Sequence, residues 1–289
     1  MKDNITTEII EKVRGFGADL CGITSVELLK KSPANVNGLA YGARMFSDAI
    51  SPLGLKPGEI FWPEDAKSVI VFAVSHPESK PEMDWWFGDV NPSGNRLLIN
   101  IAKDLKGWLP ERFPGSTVHS VTYSTEAGGI FLKDAAVLAG LGCIGKNNLL
   151  VTPEYGPRVR CRAVLVSEAL PVTVPVRFDP CEECVMPCRA ACPVDAFGFT
   201  SGEVTWPACS LPSDIRPAGD GSFNKLRCDM EMDRNIADAK PLQVDIPDDA
   251  IDHDANGDIG YVGAGRQEVM VYKYCRSCEF ACIAGTSGR

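Results

Sequence analysis

Histidine is scarce in this chain, which limits the kinds of active site that it can form. The three histidines, His76, His119 and His253, are isolated from one another along the sequence. Zinc hydrolases and nucleophilic triads both rely on histidine placed beside other ligands or beside a nucleophile. The sequence therefore gives no indication of a histidine metal site or of a Ser-His or Cys-His triad.

Long apolar runs and a surplus of positive charge are also missing. No run approaches the eighteen residues that a membrane helix needs, and the first residues, 1–5, lack the charged-then-apolar pattern of a leader. We therefore predict a cytoplasmic protein with no membrane partner. The formal net charge is −9. Because affinity for phosphate backbones comes from Lys and Arg, this balance argues against a broad nucleic-acid surface, and tRNA is not expected as a partner.

Cysteine, by contrast, is abundant and grouped. Four thiols fall within twelve residues, at Cys181, Cys184, Cys188 and Cys192, and Pro193 follows directly. Iron–sulfur clusters are held by thiolates, and two-cluster ferredoxins use a C-x2-C-x2-C-x3-C-P run whose fourth cysteine binds the other cluster. The middle spacing here is three residues instead of two. The group predicts a pair of 4Fe-4S clusters.

A second group supplies three more thiols, at Cys275, Cys278 and Cys282. Two cubane clusters need eight ligands, so one more is required from Cys209 or Cys228. We favour Cys228, because the residues before it indicate the start of a polar helix, whereas Cys209 lies among prolines. The predicted ligand sets are Cys181, Cys184, Cys188 and Cys282 for one cluster (the first set), and Cys192, Cys228, Cys275 and Cys278 for the other (the second set). Zinc and disulfides are the alternatives, and neither explains this spacing as well.

The cysteine distribution also predicts the domain organisation. With 289 residues and 45% hydrophobic content, the chain can bury a sizeable core in one large domain or two unequal ones. The cysteine groups favour two, with residues 1–178 as a cofactor and substrate domain and residues 179–289 as the cluster domain. Apolar runs at 69–74 and 162–166 predict strands, and the spacing of apolar residues over 97–109 predicts a helix.

A glycine-rich segment at 140–148 is the strongest signal outside the cysteines. Its glycines, Gly142 among them, allow close approach of the backbone to a ligand, and Lys146 and Asn147 supply hydrogen-bond donors. No Ser or Thr follows Lys146, as a phosphate-binding loop would require. We predict a cofactor contact at this segment, made by Gly142, Lys146 and Asn147.

The run from Glu126 to Pro193 resembles the epoxyqueuosine reductase family, cobalamin-dependent iron–sulfur enzymes related to reductive dehalogenases. The resemblance lies in the residues Ala139-Gly-Leu-Gly142, Ile144-Gly-Lys-Asn147 and Leu149-Leu150, followed by the first cysteine group, and in the opening stretch 17–24. It implies an α/β (α+β) fold in which a nitroreductase-like, cobalamin-binding domain precedes a ferredoxin-like domain with two 4Fe-4S clusters. Cobalamin is then expected between residues 140–148 and the cluster domain.

The resemblance also implies a proton donor. The family has an aspartate a few residues before the Ala-Gly-Leu-Gly motif, and Glu126 stands there in this chain. Tyr123 is the fallback donor, and the alternative is that Glu126 caps the following helix. The helical-repeat tail of many tRNA-acting members is absent, which adds to the expectation that tRNA is not a partner.

The predicted function is that of a reductase. Electrons from a low-potential donor would enter at the clusters and pass to a corrinoid that acts on a small-molecule substrate. Three alternatives remain: a protein that reduces or handles a partner's corrinoid, a flavin-dependent reductase holding FMN, and a plain electron-transfer module.

Overall fold

The computed structural model describes residues 2–36, 54–56, 58–87, 91–123, 125, 128–197, 223–246 and 265–285. The helices are α1 Lys2–Gly15, α2 Val26–Lys30, α3 Pro33–Val36, α4 Ser93–Arg112, α5 Leu132–Leu138, α6 Pro187–Ala190, α7 Lys225–Ala237 and α8 Ser277–Phe280, with a 3-10 helix at Pro81–Asp84. The strands are β1 Leu20–Ser25, β2 Ser68–Ser75, β3 Trp86–Phe87, β4 Val118–Ser120, β5 Cys143–Ile144, β6 Leu150–Val151, β7 Val159–Val166, β8 Lys240–Ile246 and β9 Gly265–Tyr272.

A four-stranded antiparallel sheet forms the centre of the N-terminal part, in the order β1-β2-β7-β4. Strand β2 is apolar on both faces because both faces are covered by helices. Ile70, Phe72 and Val74 pack against α1 and α4, whereas Val69 and Val71 contribute to the core that contains α5. Because successive side chains of a strand point to opposite faces, β2 contributes to two separate hydrophobic layers. The predicted strands and the predicted helix at 97–109 are confirmed.

The C-terminal part is joined to the N-terminal part by strand pairing in a separate three-stranded sheet. Strands β8 and β9 form an antiparallel pair, and β9 also pairs with β3, which comes from the N-terminal part. The short pairing matches Trp86 with Tyr272 and Phe87 with Val271. Lys273 then lies over the Trp85 ring, 4.0 Å from its centroid. The predicted mixed α/β fold is confirmed, and the division at residues 178 and 179 stays a prediction.

Membrane-spanning length can be assessed from the helices. In the part of the chain that the structure describes, none of them combines the length and the apolar character needed to cross a bilayer.

Candidate functional site

The first set of thiols lies together beside the N-terminal part. Cys188 is on α6, Cys181 and Cys184 precede that helix, and Cys282 follows α8. All four line one pocket, together with Lys146, Asn147, Pro180, Met186, Pro187, Ile283 and Ala284. Helices α6 and α8 pack against each other, and this packing brings Cys282 to the other three thiols.

The second set lies around α8 and α7. The thiol of Cys278, on α8, is affected electrostatically by Cys228, Cys275 and Cys192. Cys228 is on the first turn of α7, where the Asn224 side chain caps the helix by accepting a hydrogen bond from the backbone N–H of Arg227 at 3.1 Å. The backbone N–H of Asn224 donates to the carbonyl of Ala196 at 2.7 Å, which ties the start of α7 to the segment after Cys192.

Burial and crowding disfavour thiolates in both sets. Burial raises the pKa of Cys188 to about 11, and Cys282 and Cys181 add to the rise. For Cys278, burial followed by the neighbouring thiols of the second set raises the pKa to about 12. Thiolates placed this close together need a cationic partner, so the donor sets suit iron. Among the described residues no cysteine is in a disulfide.

A 4Fe-4S cluster and a single metal ion require different arrangements of four thiols. Within the described ranges, no group of three or more His, Cys, Asp or Glu side chains is spaced to hold one metal ion. A 4Fe-4S cubane distributes its four thiolates over four different iron atoms, whereas zinc gathers its ligands at about 2.3 Å from one centre. The assignment of the two sets as cluster ligands stays a prediction, and Cys209, the rival eighth ligand, lies outside the described residues.

The glycine-rich segment meets the first set of thiols directly. The backbone N–H of Lys146 hydrogen-bonds the Cys181 thiol and opposes the rise in its pKa that burial causes. Glycine is needed at position 142 for packing, because a Cβ there would lie 2.1 Å from the carbonyl oxygen of Val151. The structure thus places Lys146 and Asn147 at the thiol pocket, and it gives Gly142 a packing reason independent of any cofactor.

A buried arginine anchors the backbone after Cys282. Arg158 is only 2% exposed, and its Nη2 donates to the carbonyl oxygens of Ala284 at 2.7 Å and Gly285 at 3.1 Å. Its Nη1 donates to the Cys282 carbonyl at 3.3 Å. Gly156 and Gly285 approach so closely that a Cβ on Gly285 would lie 2.0 Å from the Gly156 nitrogen. The backbone at and after the last thiol of the first set, Cys282, is therefore held by the N-terminal part.

A buried group of charges joins the N-terminal part to the second set. The Asp84 carboxylate contacts Arg160 and Arg276, and its Oδ2 lies 2.7 Å from His76 Nδ1. Arg276 stands between Cys275 and Cys278, pairs with Glu279, and donates from Nη2 to the His76 carbonyl at 2.8 Å. We call these five residues, His76, Asp84, Arg160, Arg276 and Glu279, the charged junction.

Of the two predicted proton donors, the structure describes Tyr123. Tyr123 is 55% exposed, shortly after the end of β4, and Glu126 lies outside the described residues. A cleft of about 190 Å³ opens beside β4, which pairs with β7 only over Val164–Val166. The cleft is lined by Lys103, Lys106 and Arg162, together with Ile99, Ala102, Ser120, Val121 and Ala163.

Sequence reasoning missed Arg158, Gly156 and the charged junction. Arg276 could have been noticed because it stands inside the second cysteine group. Arg158 and Asp84 stand in no motif, and their partners are far along the chain, so pattern alone gives no signal for them.

Comparison with known proteins places this fold. No family model matches the chain. The epoxyqueuosine reductase of Lactococcus garvieae (strain Lg2) is 28% identical over 180 residues, which are 57% of this chain and 42% of that protein. The solved epoxyqueuosine reductase of Bacillus subtilis, with its catalytic aspartate loop swung out of the active site, covers 100% of this chain and 67% of its own, at 19% identity and a TM-score of 0.58. The resemblance to epoxyqueuosine reductase is confirmed.

These relatives are epoxyqueuosine reductases, which are oxidoreductases, and they agree with the predicted enzyme class. The chain spans less than half the length of the curated relative, so the activity of the whole protein is a matter for proposal. Cytoplasmic location, the two clusters and cobalamin stay predictions.

The expectation about tRNA is wrong. A third relative is an epoxyqueuosine reductase solved with an epoxyqueuosine-modified tRNA-Tyr stem loop; it covers 79% of this chain and 56% of its own, at 20% identity and a TM-score of 0.52. The expectation gave most weight to net charge, which leaves a local basic patch possible. A chain of net charge −9 still gathers three cationic side chains at one cleft, and phosphate contacts depend on such local groups.

Proposed function

We propose that this chain is a reductase similar to epoxyqueuosine reductase, with two 4Fe-4S clusters and cobalamin as cofactors. The observation that supports it most is the gathering of eight cysteines, from two groups far apart in the sequence and from Cys228 between them, into two sets of four. One set lies against the N-terminal part, and the second lies beside the charged junction. Such an arrangement suits a path for electrons toward the N-terminal part.

The first and second sets would hold one cluster each. Bound clusters supply one-electron transfer. The protein contributes burial of the thiols, the N–H of Lys146 at Cys181, and the fixing of Cys282 through Arg158. These contacts hold the ligands in place, which limits the reorganisation that electron transfer requires.

Cobalamin is proposed on the resemblance alone. When bound, it supplies strongly reducing cobalt chemistry. The cleft at Lys103, Lys106 and Arg162 has a volume of about 190 Å³, below the ~300–1,000 Å³ of typical small-molecule sites. It can admit a substituent but not a macrocycle, and we assign no described residue to the corrinoid.

The substrate class to test first is an epoxide carried on a tRNA stem loop, because a relative of the same fold is seen with such a stem loop. The cationic cleft is suited to the phosphates. One of its lining residues, Val121, stands two positions before Tyr123 in the sequence. Lys103→Ala with Lys106→Ala should weaken binding of the stem loop and reduce its salt slope by about one per lysine. Lys240→Ala, an exposed lysine on β8, is the control for general charge.

The test of the proposed function begins with anaerobically purified protein. We expect about eight iron atoms per chain, as two cubanes require, and a spectral change on adding cobalamin. Turnover of the epoxide on the stem loop should then require a low-potential donor. Tight binding of FMN with no response to cobalamin would favour the flavin enzyme, and a cobalamin response without turnover would favour a corrinoid-handling protein. Iron near four, or stoichiometric zinc, would refute the two-cluster assignment.

A further inference from the structure

The turn that precedes β6 presents a buried amide to the first set of thiols. Asn147 is 2% exposed, and it lines the same pocket as Cys181 and Cys188. The residue comes from the N-terminal part, whereas the thiols come from the C-terminal part. A side chain in this place is suited to act on whatever the thiols hold.

The orientation of the amide follows from its hydrogen bonds. Its Oδ1 accepts a hydrogen bond from the backbone N–H of Leu149 at 3.2 Å. The other polar atom, Nδ2, is buried and has no hydrogen-bond partner within the part of the chain that the structure describes. A buried donor left unpaired costs ~1–3 kcal/mol, and such groups in native proteins usually have a functional or ligand-related explanation.

Neighbouring residues hold this amide in place. The carbonyl of Lys146 accepts a hydrogen bond from Arg189 Nε at 2.8 Å, and Arg189 follows Cys188 directly. A Cβ at Gly145 would lie 2.8 Å from the Asn147 Oδ1 and 2.7 Å from a methyl of Val151. Glycine is therefore needed at 145 to leave room for the amide, and the turn is locked to the cysteine-bearing helix α6.

We propose that Asn147 donates a hydrogen bond from Nδ2 to a sulfur of the cluster in the first set and thereby raises the reduction potential of that cluster. A reduced cluster carries one more negative charge than an oxidised one, so a donor to its sulfur stabilises the reduced form more. The inference rests on the proposed function only in requiring that the first set holds a cluster. It gives Asn147 a role in tuning the cluster in place of the predicted contact with cobalamin.

The test is a redox titration followed by EPR on anaerobic protein without cobalamin or substrate. Asn147→Ser keeps a short acceptor for the Leu149 N–H but cannot reach the pocket with a donor. Asn147→Asp keeps the acceptor, loses the donor and adds negative charge. Both variants should lower the midpoint potential of one cluster and leave the other unchanged, with the larger shift in Asn147→Asp.

Asn148→Asp is the matched control. It adds the same charge one residue later, at a position that does not line the pocket, and its φ of 58° suits aspartate as well as asparagine. Its shift should be clearly smaller than that of Asn147→Asp. Equal shifts in the two aspartate variants, or unchanged potentials in Asn147→Ser, would overturn the inference.

A second readout avoids dependence on the variants. In wild-type protein labelled with ¹⁵N at asparagine, pulsed EPR of the reduced cluster should show a ¹⁵N coupling from Nδ2. The absence of that coupling contradicts the inference even if the variants lose their clusters. Wild-type protein that assembles no cluster at all would overturn the proposed function as well, and its iron content distinguishes that result from a failure of the Asn147 assignment alone.

Discussion

Arg158 and Gly285 are single residues outside the cysteine groups that hold the backbone at Cys282 in place. The guanidinium of Arg158 bonds the three carbonyls of Cys282, Ala284 and Gly285, and Gly285 packs onto Gly156. Cys282 is the only member of the first set that arrives from the second cysteine group. Loosening this contact should therefore affect the first set and spare the second.

We predict that Gly285→Ala reduces iron from about eight toward four per chain, because the new Cβ would meet the Gly156 nitrogen at 2.0 Å. Gly265→Ala is the control. Gly265 also has a positive φ, 100°, but a Cβ there meets nothing within 4 Å, so the variant carries only a conformational cost of ~1–2 kcal/mol. Iron analysis and EPR of both variants are the measurement, and equal iron loss would show that backbone strain alone is responsible.

Glu126 carries the most specific prediction about chemistry. Glu126→Gln keeps size and hydrogen bonding but removes the transferable proton. If Glu126 is the donor, turnover should fall by about a hundredfold to ten-thousandfold, with clusters and cofactor binding unchanged. Tyr123→Phe tests the fallback donor at an exposed position. Full activity of Glu126→Gln would leave Glu126 as a helix-capping residue.

At the scale of elements, α6, α7 and α8 divide the ligands between two sets. Cys181→Ala should remove iron from the first set, and Cys192→Ala from the second, so that two different EPR signals are lost. Cys228→Ala should behave as Cys192→Ala does, whereas Cys209→Ala should retain its iron. Cys161→Ala removes a partly buried thiol of β7 that belongs to neither set, and it controls for the loss of a cysteine. If Cys209→Ala loses iron and Cys228→Ala retains it, the eighth ligand is Cys209 and not Cys228.

Elements with a local signal could be predicted from the sequence. Strand β2 and helix α4 follow from apolar runs and spacing, and the helix at Cys228 follows from its polar start. The pairing of β3 with β9 could not be predicted, because a two-residue strand has no periodicity and its partner is far along the chain.

The candidate site divides in the same way. The cysteine spacing indicated which thiols belong together, and the glycine-rich motif indicated a ligand-facing turn. Which ligand that turn faces depends on how the two parts of the chain pack, and packing is not encoded in any short pattern. Lys146 and Asn147 were predicted as cobalamin contacts, which stays a prediction, and the structure places both beside the first set of thiols.

At the scale of the whole molecule, the charged junction should contribute much of the stability that joins the two parts. Burial alone would raise the pKa of Asp84, but the hydrogen bond from His76 and the charges of Arg160 and Arg276 outweigh it and lower that pKa. Removing the carboxylate leaves two arginines buried without it. We predict that Asp84→Ala destabilises the protein by about 3–5 kcal/mol at pH 7, measured by denaturant unfolding.

The pH dependence of this effect has a defined sign. Because the pKa of Asp84 is lowered on folding, its contribution is complete above the ordinary value of 3.8 and is lost as the pH falls through the folded value. The difference between wild type and Asp84→Ala should therefore shrink in acid. Asp65→Ala, which removes an exposed carboxylate bonded to Thr117 and His119, should have a much smaller effect at pH 7. Equal losses in the two variants would contradict a special role for the junction.

Because Cys188 and Cys282 are far apart in the sequence, the ribosome synthesises them at clearly different times. A ribosome adds ~5–20 residues per second, so the three early thiols of the first set emerge seconds before the fourth. The second set is also completed late, because Cys275 and Cys278 follow Cys192 only after most of the C-terminal part has been synthesised. During that interval the N-terminal sheet can fold while the early cysteines remain unligated. If the two sets hold clusters as proposed, neither cluster can receive its full set of four thiols until translation has passed Cys278 and Cys282.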